Sequence, residues 1–189
     1  ALEYASANLA RKAATYAASN KVTLSGTAQW SDYSGTSNPI TAVETAKEAI
    51  RAQTGRRPNT VVLGALVMAK LKHHPAVVDR MKYTGRDVAT VDLLASLFDV
   101  ERVVVGDAVY SNDAGDTNTD VWGKDVIVAY TATDTLANMG APSYGYTYQL
   151  NGYPVVEEPY LDRNAKTWMY PVTRVEAPVI AGAGAGYLI

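Results

Sequence analysis

The stretch RPNTVVLGALVMAKLKHHPAVVDRMKYT, residues 57–84, predicts a strand, a sharp turn and two helices in succession. Residues 60–63 are β-prone and almost entirely apolar, as in a strand that is covered on both faces. Residues 65–73 favour helix and follow helical spacing. His74-Pro75 interrupts this helix, because proline disfavours helical geometry in the residue before it, and a second helix follows.

The segments around this stretch extend it into an α/β module. Asn38 caps a predicted helix that ends at Gly55, since asparagine is favoured at helix starts and glycine at helix ends. A helix capped by Thr90 comes next, and a strand at 102–105 follows it. Strand, helices and strand in this order normally give neighbouring strands with helices packed on the sheet. A third apolar strand is expected at 126–130.

The N-terminal part of the chain has a different character. Residues 1–18 form an alanine-rich helix with a predicted apolar stripe of Leu2, Ala5, Leu9, Ala13 and Tyr16. No cap residue precedes that stripe, so we expect a helix cut part-way along and a chain that is a fragment or processed form. The alternative is a native start from which the methionine has been removed. Residues 22–24 predict a short strand, and the polar loop 25–38 is expected to be pinned by Trp30 and Tyr33.

From residue 144 the apolar period changes to two, which predicts antiparallel strands. A hairpin turn at Asn151-Gly152 is expected to join 144–150 to 153–156. A second turn, at 162–164, leads into the longest predicted strand, 167–175. Six of the thirteen tyrosines lie in this region, and tyrosine suits half-buried strands and protein interfaces.

Composition excludes several classes of protein. A length of 189 residues allows burial of about 70% of the unfolded surface, enough for one large domain or two small ones. The chain has no cysteine, which excludes disulfides and cysteine-ligated metals. Its net charge of -2 gives no electrostatic signature of nucleic-acid binding. No apolar run reaches the roughly 18 residues of a membrane helix, and no signal-peptide pattern is present.

Two adjacent histidines, His73 and His74, with Asp79 nearby, invite comparison with a metal site. Adjacent residues on a helix point about 100° apart, so these histidines would not chelate one ion well. We interpret them instead as residues favoured by the dipole at a helix end. The chain has no other histidine, so a Ser-His-Asp triad could be built only around one of them.

The polar segment 112–120 carries spaced oxygen ligands. Asp116, Asn118 and Asp120 match the first half of a calcium loop. Val121 stands where that loop needs glycine, and the closing glutamate is also absent, which rejects an EF-hand. We interpret the segment as a solvated loop. Trp122, just after it, is expected to be buried and to close the loop on the α/β core.

Neither the C-terminal glycines nor the dispersed carboxylates form a recognisable site. Gly182, Gly184 and Gly186 lack the spacing and the following helix of a dinucleotide fingerprint, and indicate close strand packing or a flexible tail. Seven carboxylates lie at turns or beside strand ends, where solvated acids are common: Asp92, Asp99, Glu101, Asp107, Glu157, Glu158 and Asp162. We therefore predict no catalytic, cofactor-binding or metal-binding residue and no enzymatic activity.

Several segments in combination resemble tailed-bacteriophage major capsid proteins: PNTVVLG, LKHHPAVVDRMKYT, LLASLFDVERVVVGDAVY, DVWGKDVIVAY, PSYGYTY and LDRNAKTWMYPVTRVEAPVIAGAGAGYLI. The resemblance implies an α+β capsid fold with an axial α/β domain and a peripheral domain of spine helix plus antiparallel sheet. Residues 38–135 would then be the axial domain. Residues 1–37 would hold the C-terminal part of the spine helix and a loop, and residues 136–189 the peripheral strands and C-terminal segment. The family's N-terminal arm and extended loop have no counterpart in this sequence.

The resemblance also implies a function: a structural major capsid subunit of a tailed phage or prophage, assembling into an icosahedral shell around double-stranded DNA. Expected partners are copies of itself in pentamers and hexamers, packaged DNA bound non-specifically, and scaffold and portal proteins. The expected location is the virion capsid, and the host bacterial cytoplasm during assembly, with no membrane. Two alternatives stay open: a small α/β enzyme or ligand-binding domain that uses residues 38–135, and an encapsulin-like shell protein.

Overall fold

The structure, a computed structural model, describes residues 2–16, 20–82, 90–111, 114–132 and 143–189. The α-helices are α1 (Leu2–Tyr16), α2 (Pro39–Thr54), α3 (Ala65–Leu71), α4 (Pro75–Met81) and α5 (Val91–Phe98). The first strands are β1 (Thr60–Gly64), β2 (Arg102–Gly106), β3 (Val109–Ser111), β4 (Asn118–Asp120) and β5 (Val126–Ala129). The later strands are β6 (Gly145–Gln149), β7 (Val155–Val156), β8 (Tyr160–Asp162), β9 (Thr167–Met169), β10 (Val172–Thr173), β11 (Glu176–Ile180) and β12 (Gly186–Leu188). This mixture of helix and sheet agrees with the predicted α+β class.

A four-stranded sheet in the order β12-β5-β1-β2 lies at the centre. β1 and β2 are parallel and are connected through α3, α4 and α5, which confirms the predicted strand–helices–strand unit. β5 runs antiparallel to both β1 and β12. Val61, Leu63 and Val128, which share one face of the sheet, are completely buried. Ile127 and Ala129 point to the opposite face and are also buried, so both faces of the sheet's centre are covered.

Helix α2 begins and ends as predicted. Asn38 Oδ1 accepts hydrogen bonds from the N–H groups of Ile40 (3.1 Å) and Thr41 (3.3 Å), which satisfies two donors of the first turn. Gly55 ends the helix with φ 68°, a left-handed conformation that glycine adopts without steric cost. The buried face of α2 consists of Pro39, Ile40, Val43, Ala46 and Ile50.

The predicted strand at 22–24 is wrong. Lys21 makes a single parallel bridge with Leu188, and the Val22 N–H donates to the Leu188 carbonyl at 2.9 Å, but the pairing goes no further. Since residues 21–23 are exposed, no buried apolar face holds them against β12. The loop that follows is pinned as predicted: Trp30 lies in the core, and the Tyr33 hydroxyl donates to the Lys70 carbonyl at 3.1 Å.

The buried face of helix α1 agrees with the predicted stripe at Ala13 but not at Leu2, Ala5 and Leu9, and the side chain of Tyr16 lies outside the described residues. The buried residues of the helix are Ala7, Ala10 and Ala13. Leu2, Ala5 and Leu9, which the sequence placed on the buried stripe with Ala13, are half-buried. The small alanine side chains let the helix lie close to the sheet, where Ala10 packs with Ile127 and Leu188.

The predicted loop 112–120 is shorter than expected, because its end forms β4, which pairs with β3 through Tyr110 and Thr119. Residues 112–113 lie outside the described residues. The division of the chain into domains stays a prediction. Strand β12, which that division gave to the peripheral part, pairs in the central sheet with β5 of the axial part.

Candidate interaction surface

The chain between residues 145 and 180 forms a two-stranded ribbon of three nested antiparallel pairs. β6 pairs with β11 at the base, β7 with β10 in the middle, and β8 with β9 at the tip. The tip turn is held by Asp162, whose Oδ1 accepts from the N–H groups of Asn164 (2.9 Å) and Ala165 (3.3 Å). The turn predicted at 162–164 is therefore confirmed. We call residues 145–180 the ribbon.

Two predictions about the ribbon are wrong. The chain does turn at Gly152, which has φ 89°, but β6 pairs with β11 and not with 153–156. The predicted strand 167–175 is divided into β9 and β10 at Pro171. Proline cannot donate a backbone hydrogen bond, so a ladder weakens where it occurs, and Pro154 has the same effect beside the first turn.

Most of the ribbon is exposed, and its other residues, among them Pro178 and Ile180 of β11, are half-buried. No residue from Tyr144 to Gly184 is buried. Its exposed large apolar side chains are Tyr146, Tyr148, Leu150, Val155, Val156, Tyr160, Leu161, Trp168, Met169, Tyr170, Val172, Val175 and Val179. A two-stranded ribbon is marginally stable alone in water, and an extended apolar surface of this kind marks an interaction site. The ribbon is thus the candidate interaction surface.

Tyr144 fastens the base of the ribbon to the rest of the molecule. Its hydroxyl donates to the Ala10 carbonyl of α1 at 3.2 Å, and its own carbonyl accepts from the Ala181 N–H at 3.0 Å. Tyr144 is half-buried, and desolvation of its side chain raises its pKa to about 12, because the phenolate would lose hydration. A methyl group on Gly186 would lie 2.1 Å from the Tyr144 ring, so the glycine is needed for this close approach. This supports close packing as the interpretation of Gly186.

Trp122 joins two parts of the molecule in a way that the sequence did not predict. Its ring is half-buried and lies against Gly106, and its Nε1–H donates to Glu3 Oε1 of α1 at 2.8 Å. Trp122 therefore holds α1 on the α/β module, and the prediction that it is a buried residue closing the loop needs correction. Arg11 of α1 binds the same turn through an ion pair with Asp125.

The two histidines have unrelated surroundings. His73 is exposed, whereas His74 is buried and caps α4: its Nδ1 accepts from the Ala76 N–H at 3.2 Å. Its Nε2 lies 3.2 Å from the Ser37 hydroxyl. The interpretation of His74 as a residue at a helix C-terminus is therefore wrong, because it stands at the start of the next helix. Asp79 pairs with Lys82 at 2.7 Å.

The remaining sequence candidates are not brought together. Among the described residues, no group of three or more His, Asp or Glu side chains could hold a metal ion. Asp116 and Asn118 are exposed in the β3–β4 hairpin. Asp99 accepts a hydrogen bond from Lys47 at 3.1 Å, which lowers the pKa of that carboxyl. Glu157 accepts one from the Thr173 hydroxyl within the ribbon.

A shallow cleft beside His74 has a volume of about 200 Å³. Tyr33, Ser37 and Asn38 contribute to its lining. Small-molecule sites usually occupy about 300–1,000 Å³ and combine an apolar lining with convergent polar groups. The cleft gives little support to a ligand-binding domain. In the part of the chain that the structure describes, no helix is long and apolar enough to cross a membrane.

Comparison with known proteins identifies the relatives of this chain. Residues 15–170 match the model of the family described as phage major capsid protein E. The major capsid protein of Burkholderia phage BcepMu is 40% identical over 186 residues, which is 97% of this chain and 59% of that protein. The major capsid protein of Pseudomonas phage JBD67 is 38% identical over 96 residues, 50% of this chain and 29% of that protein.

A solved structure is also similar. The crystal structure of a phage-related protein from Bordetella bronchiseptica RB50 has a TM-score of 0.88 and 42% sequence identity, over 98% of this chain and 60% of that one. This chain thus spans about 60% of the length of the BcepMu capsid protein and of the Bordetella protein. The family is one of structural proteins and not of enzymes, in agreement with the prediction from sequence. The chain belongs to the phage major capsid protein E family.

Proposed function

We propose that this chain is part of a major capsid subunit of a tailed phage or prophage, which assembles with copies of itself into an icosahedral shell around double-stranded DNA. The observation that carries the proposal is the ribbon, in which no residue is buried while more than ten large apolar side chains are exposed. A monomer gains little from such a surface, whereas a shell subunit needs one for each neighbour. Membership in a capsid protein family supports an assembly of copies in which that surface would form contacts.

We infer that the finer architecture is that of the tailed-phage capsid fold. The central sheet with α2–α5 would be the axial domain, and α1 with the ribbon the peripheral domain. The α/β unit of residues 39–129 and the attachment of the ribbon to α1 through Tyr144 support this division. The C-terminal strand β12 would be shared, since it lies in the central sheet but is reached only after the ribbon.

The partners follow from the same proposal. Copies of the chain would meet as pentamers and hexamers, and packaged DNA would be contacted non-specifically. Scaffold and portal proteins would take part in assembly in the host bacterial cytoplasm, and the mature location would be the virion capsid. With a net charge of -2, DNA contacts would depend on local basic groups and would weaken with salt.

Sedimentation velocity across a concentration series, with electron microscopy of the concentrated sample, tests this function. We expect a monomer at micromolar concentration and rings of five or six chains when concentrated. The contact between two ribbons is expected to bury less than about 1,200 Å², and contacts of that size are usually transient. Val156→Asp, at a ribbon position that is 78% exposed, should prevent association. Thr41→Asp adds the same charge to an exposed position of α2 and is the matched control.

Two results would contradict the proposal. A chain that stays monomeric at every concentration, with no difference between the two variants, would remove the ribbon as an assembly surface. A tight dimer whose mass changes on addition of a small ligand would favour the α/β enzyme or ligand-binding alternative. Closed particles from this chain alone would support the function but contradict the expectation of rings.

A further inference from the structure

We propose that the outer part of the ribbon, residues 155–173, which comprises the β7–β10 pair and the tip, inserts between two neighbouring copies of the chain, each of which covers one face of the tip. The inference rests on the proposed function, because a shell is what places several copies around one tip. It goes further because it assigns two neighbouring surfaces, one for each face, to a single hairpin. A contact at the edge of the hairpin would need only one neighbour.

The pairing register places an apolar pair on each face of the tip. Tyr160 lies opposite Met169, and Leu161 lies opposite Trp168. Directly opposed residues of an antiparallel pair share a face, and successive residues along a strand point to opposite faces. The Tyr160–Met169 pair and the Leu161–Trp168 pair therefore lie on opposite faces.

Neither face is buried by the part of the chain that the structure describes. Tyr160 is 55% exposed and Met169 41% on one side, while Leu161 is 48% and Trp168 57% exposed on the other. A hairpin that rested on a single surface would bury one pair and leave the second in water. Coverage by two surfaces buries both, and Trp and Tyr are the side chains that most often dominate binding energy at interfaces.

The backbone favours recognition by the faces over pairing at the edges. The two tip strands, β8 and β9, are three residues long. Pro159 directly precedes β8, and Pro171 follows β9, so both prolines lie at the strand ends away from the turn. Prolines and short strands are the devices by which proteins prevent an edge from pairing with another strand. Addition of a neighbour's strand to the tip would therefore gain few hydrogen bonds.

The charge of this outer part of the ribbon favours protein as the occupant. Residues 155–173 contain three acidic side chains, Glu157, Glu158 and Asp162, and two basic ones, Arg163 and Lys166, so their formal net charge is -1. A nucleic-acid contact would require a net positive surface. Tyr, Trp and Met are instead enriched at protein interfaces, and the shell provides copies of this chain at fixed positions around each tip.

Photo-crosslinking tests the proposal directly. A photoreactive phenylalanine derivative is placed at position 161 or, in a second protein, at position 160, and each is mixed with an equal amount of isotopically labelled wild-type chain under assembling conditions. We expect crosslinks between chains from both positions, mapping to two different surfaces of the neighbouring copies. Crosslinks confined to one chain, or both positions mapping to the same surface, would overturn the inference.

Two substitutions give an independent measurement. Trp168→Ser removes the anchor of one face and Met169→Ser that of the other, and each should raise the concentration needed for association about tenfold. Thr167→Ser is the matched control on the same strand. Because all three positions are exposed, the thermal unfolding of the monomer should not change.

The outcomes separate the inference from the function on which it rests. Association that weakens with only one of the two serine variants would leave the shell subunit intact and reject insertion between two copies. A wild-type chain that never associates or crosslinks would reject both. If added DNA displaces the neighbouring chains from the ribbon, a copy of the chain is not the occupant and the inference is rejected.

Discussion

At the scale of single residues, His74 connects two elements through its neutral imidazole. Because Nδ1 accepts the Ala76 N–H, the ring proton of the neutral form must lie on Nε2, which can donate to the Ser37 hydroxyl. Burial lowers the pKa of His74 below its ordinary value of 6.5. Protonation would also cancel the Nδ1 acceptor and place a positive charge at the start of α4, where the helix dipole is unfavourable to it.

This arrangement predicts loss of stability in mild acid. The unfolded chain takes up the proton near pH 6.5, while the folded chain resists it, so the unfolded state binds more protons between these two pKa values. The contribution of His74 is complete above about pH 6.5 and decreases as the pH falls through the folded-state pKa.

Melting curves from pH 8 to 5 should show this loss of stability. His74→Asn keeps a capping acceptor without titrating and should flatten the profile, whereas substitution of the exposed His73 by asparagine should leave it unchanged. Identical profiles for all three proteins would disprove the role.

Trp122 gives a second prediction at this scale. Trp122→Ala removes a half-buried ring that packs on Gly106 and a hydrogen bond to Glu3. We expect a loss of about 2 kcal/mol in the free energy of unfolding, below the ~3–5 kcal/mol of a fully buried ring. Trp122→Phe keeps most of the ring and should lose about 1 kcal/mol or less. Urea unfolding measures both, and no effect of the alanine variant would show that α1 is held by other contacts.

The sequence indicated that Trp122 is an anchor but could not say of what. Its partner Glu3 lies more than a hundred residues earlier in the chain, so no local pattern connects them. His74 is a similar case. The His74-Pro75 break was evident from proline geometry, but the capping role of the ring depends on whether α4 starts there and on Ser37 from a distant loop.

At the scale of elements, the contact between Tyr144 and Gly186 couples the base of the ribbon to the central sheet. Gly186→Ala would push a methyl group into the tyrosine ring, and overpacking of this kind typically costs about 1–3 kcal/mol. Gly186 has φ −132°, which alanine also adopts, so backbone strain does not contribute. In the Tyr144→Ala background the same change should be nearly neutral, since the ring is gone. A double-mutant cycle by thermal unfolding measures this. Equal costs in both backgrounds would show that the ring is not the cause.

Elements built from local signals were predicted well. The caps of α2 and α5, the break at Pro75 and the tip turn at Asp162 all depend on residues within a few positions of each other. The ribbon depends on a non-local pairing: β6 pairs with β11, which lies about thirty residues later in the chain, beyond the tip. The turn at Gly152 is evident in the sequence, but the strands beside it alternate without specifying a partner. The pattern therefore predicts pairing with the nearest strand, which is wrong.

At the scale of the whole molecule, one half is stabilised by its own core, whereas the ribbon contains no buried residue. The buried apolar residues of the described chain come from α1–α5, the central sheet and the loops beside it, and none comes from the ribbon. The tyrosines of the ribbon predict an interface from composition, and the family match agrees with the proposed use of that surface in a shell. The insertion of β12 into the central sheet was not foreseeable, because a short glycine-rich strand carries no periodic signal.

This separation predicts that most of the ribbon can be removed without loss of the fold. Leu150 and Val175 face each other at the end of the β6–β11 ladder, where the Leu150 N–H donates to the Val175 carbonyl at 3.1 Å. Replacement of residues 151–174 by Asn-Gly would close the ladder with a two-residue hairpin turn. Because none of the deleted residues is buried, we expect the melting temperature to change by less than about 2 °C.

Association should respond in the opposite way. The shortened chain should remain monomeric at concentrations where the intact chain forms rings, since it has lost the exposed apolar positions from Val155 to Val172. Sedimentation velocity on both proteins, paired with calorimetry, gives the two quantities separately. Rings from the shortened chain would place the assembly contacts on the α/β module instead. A large fall in melting temperature would mean that the ribbon stabilises the monomer, and the division into a self-sufficient half and a dependent half would then be wrong.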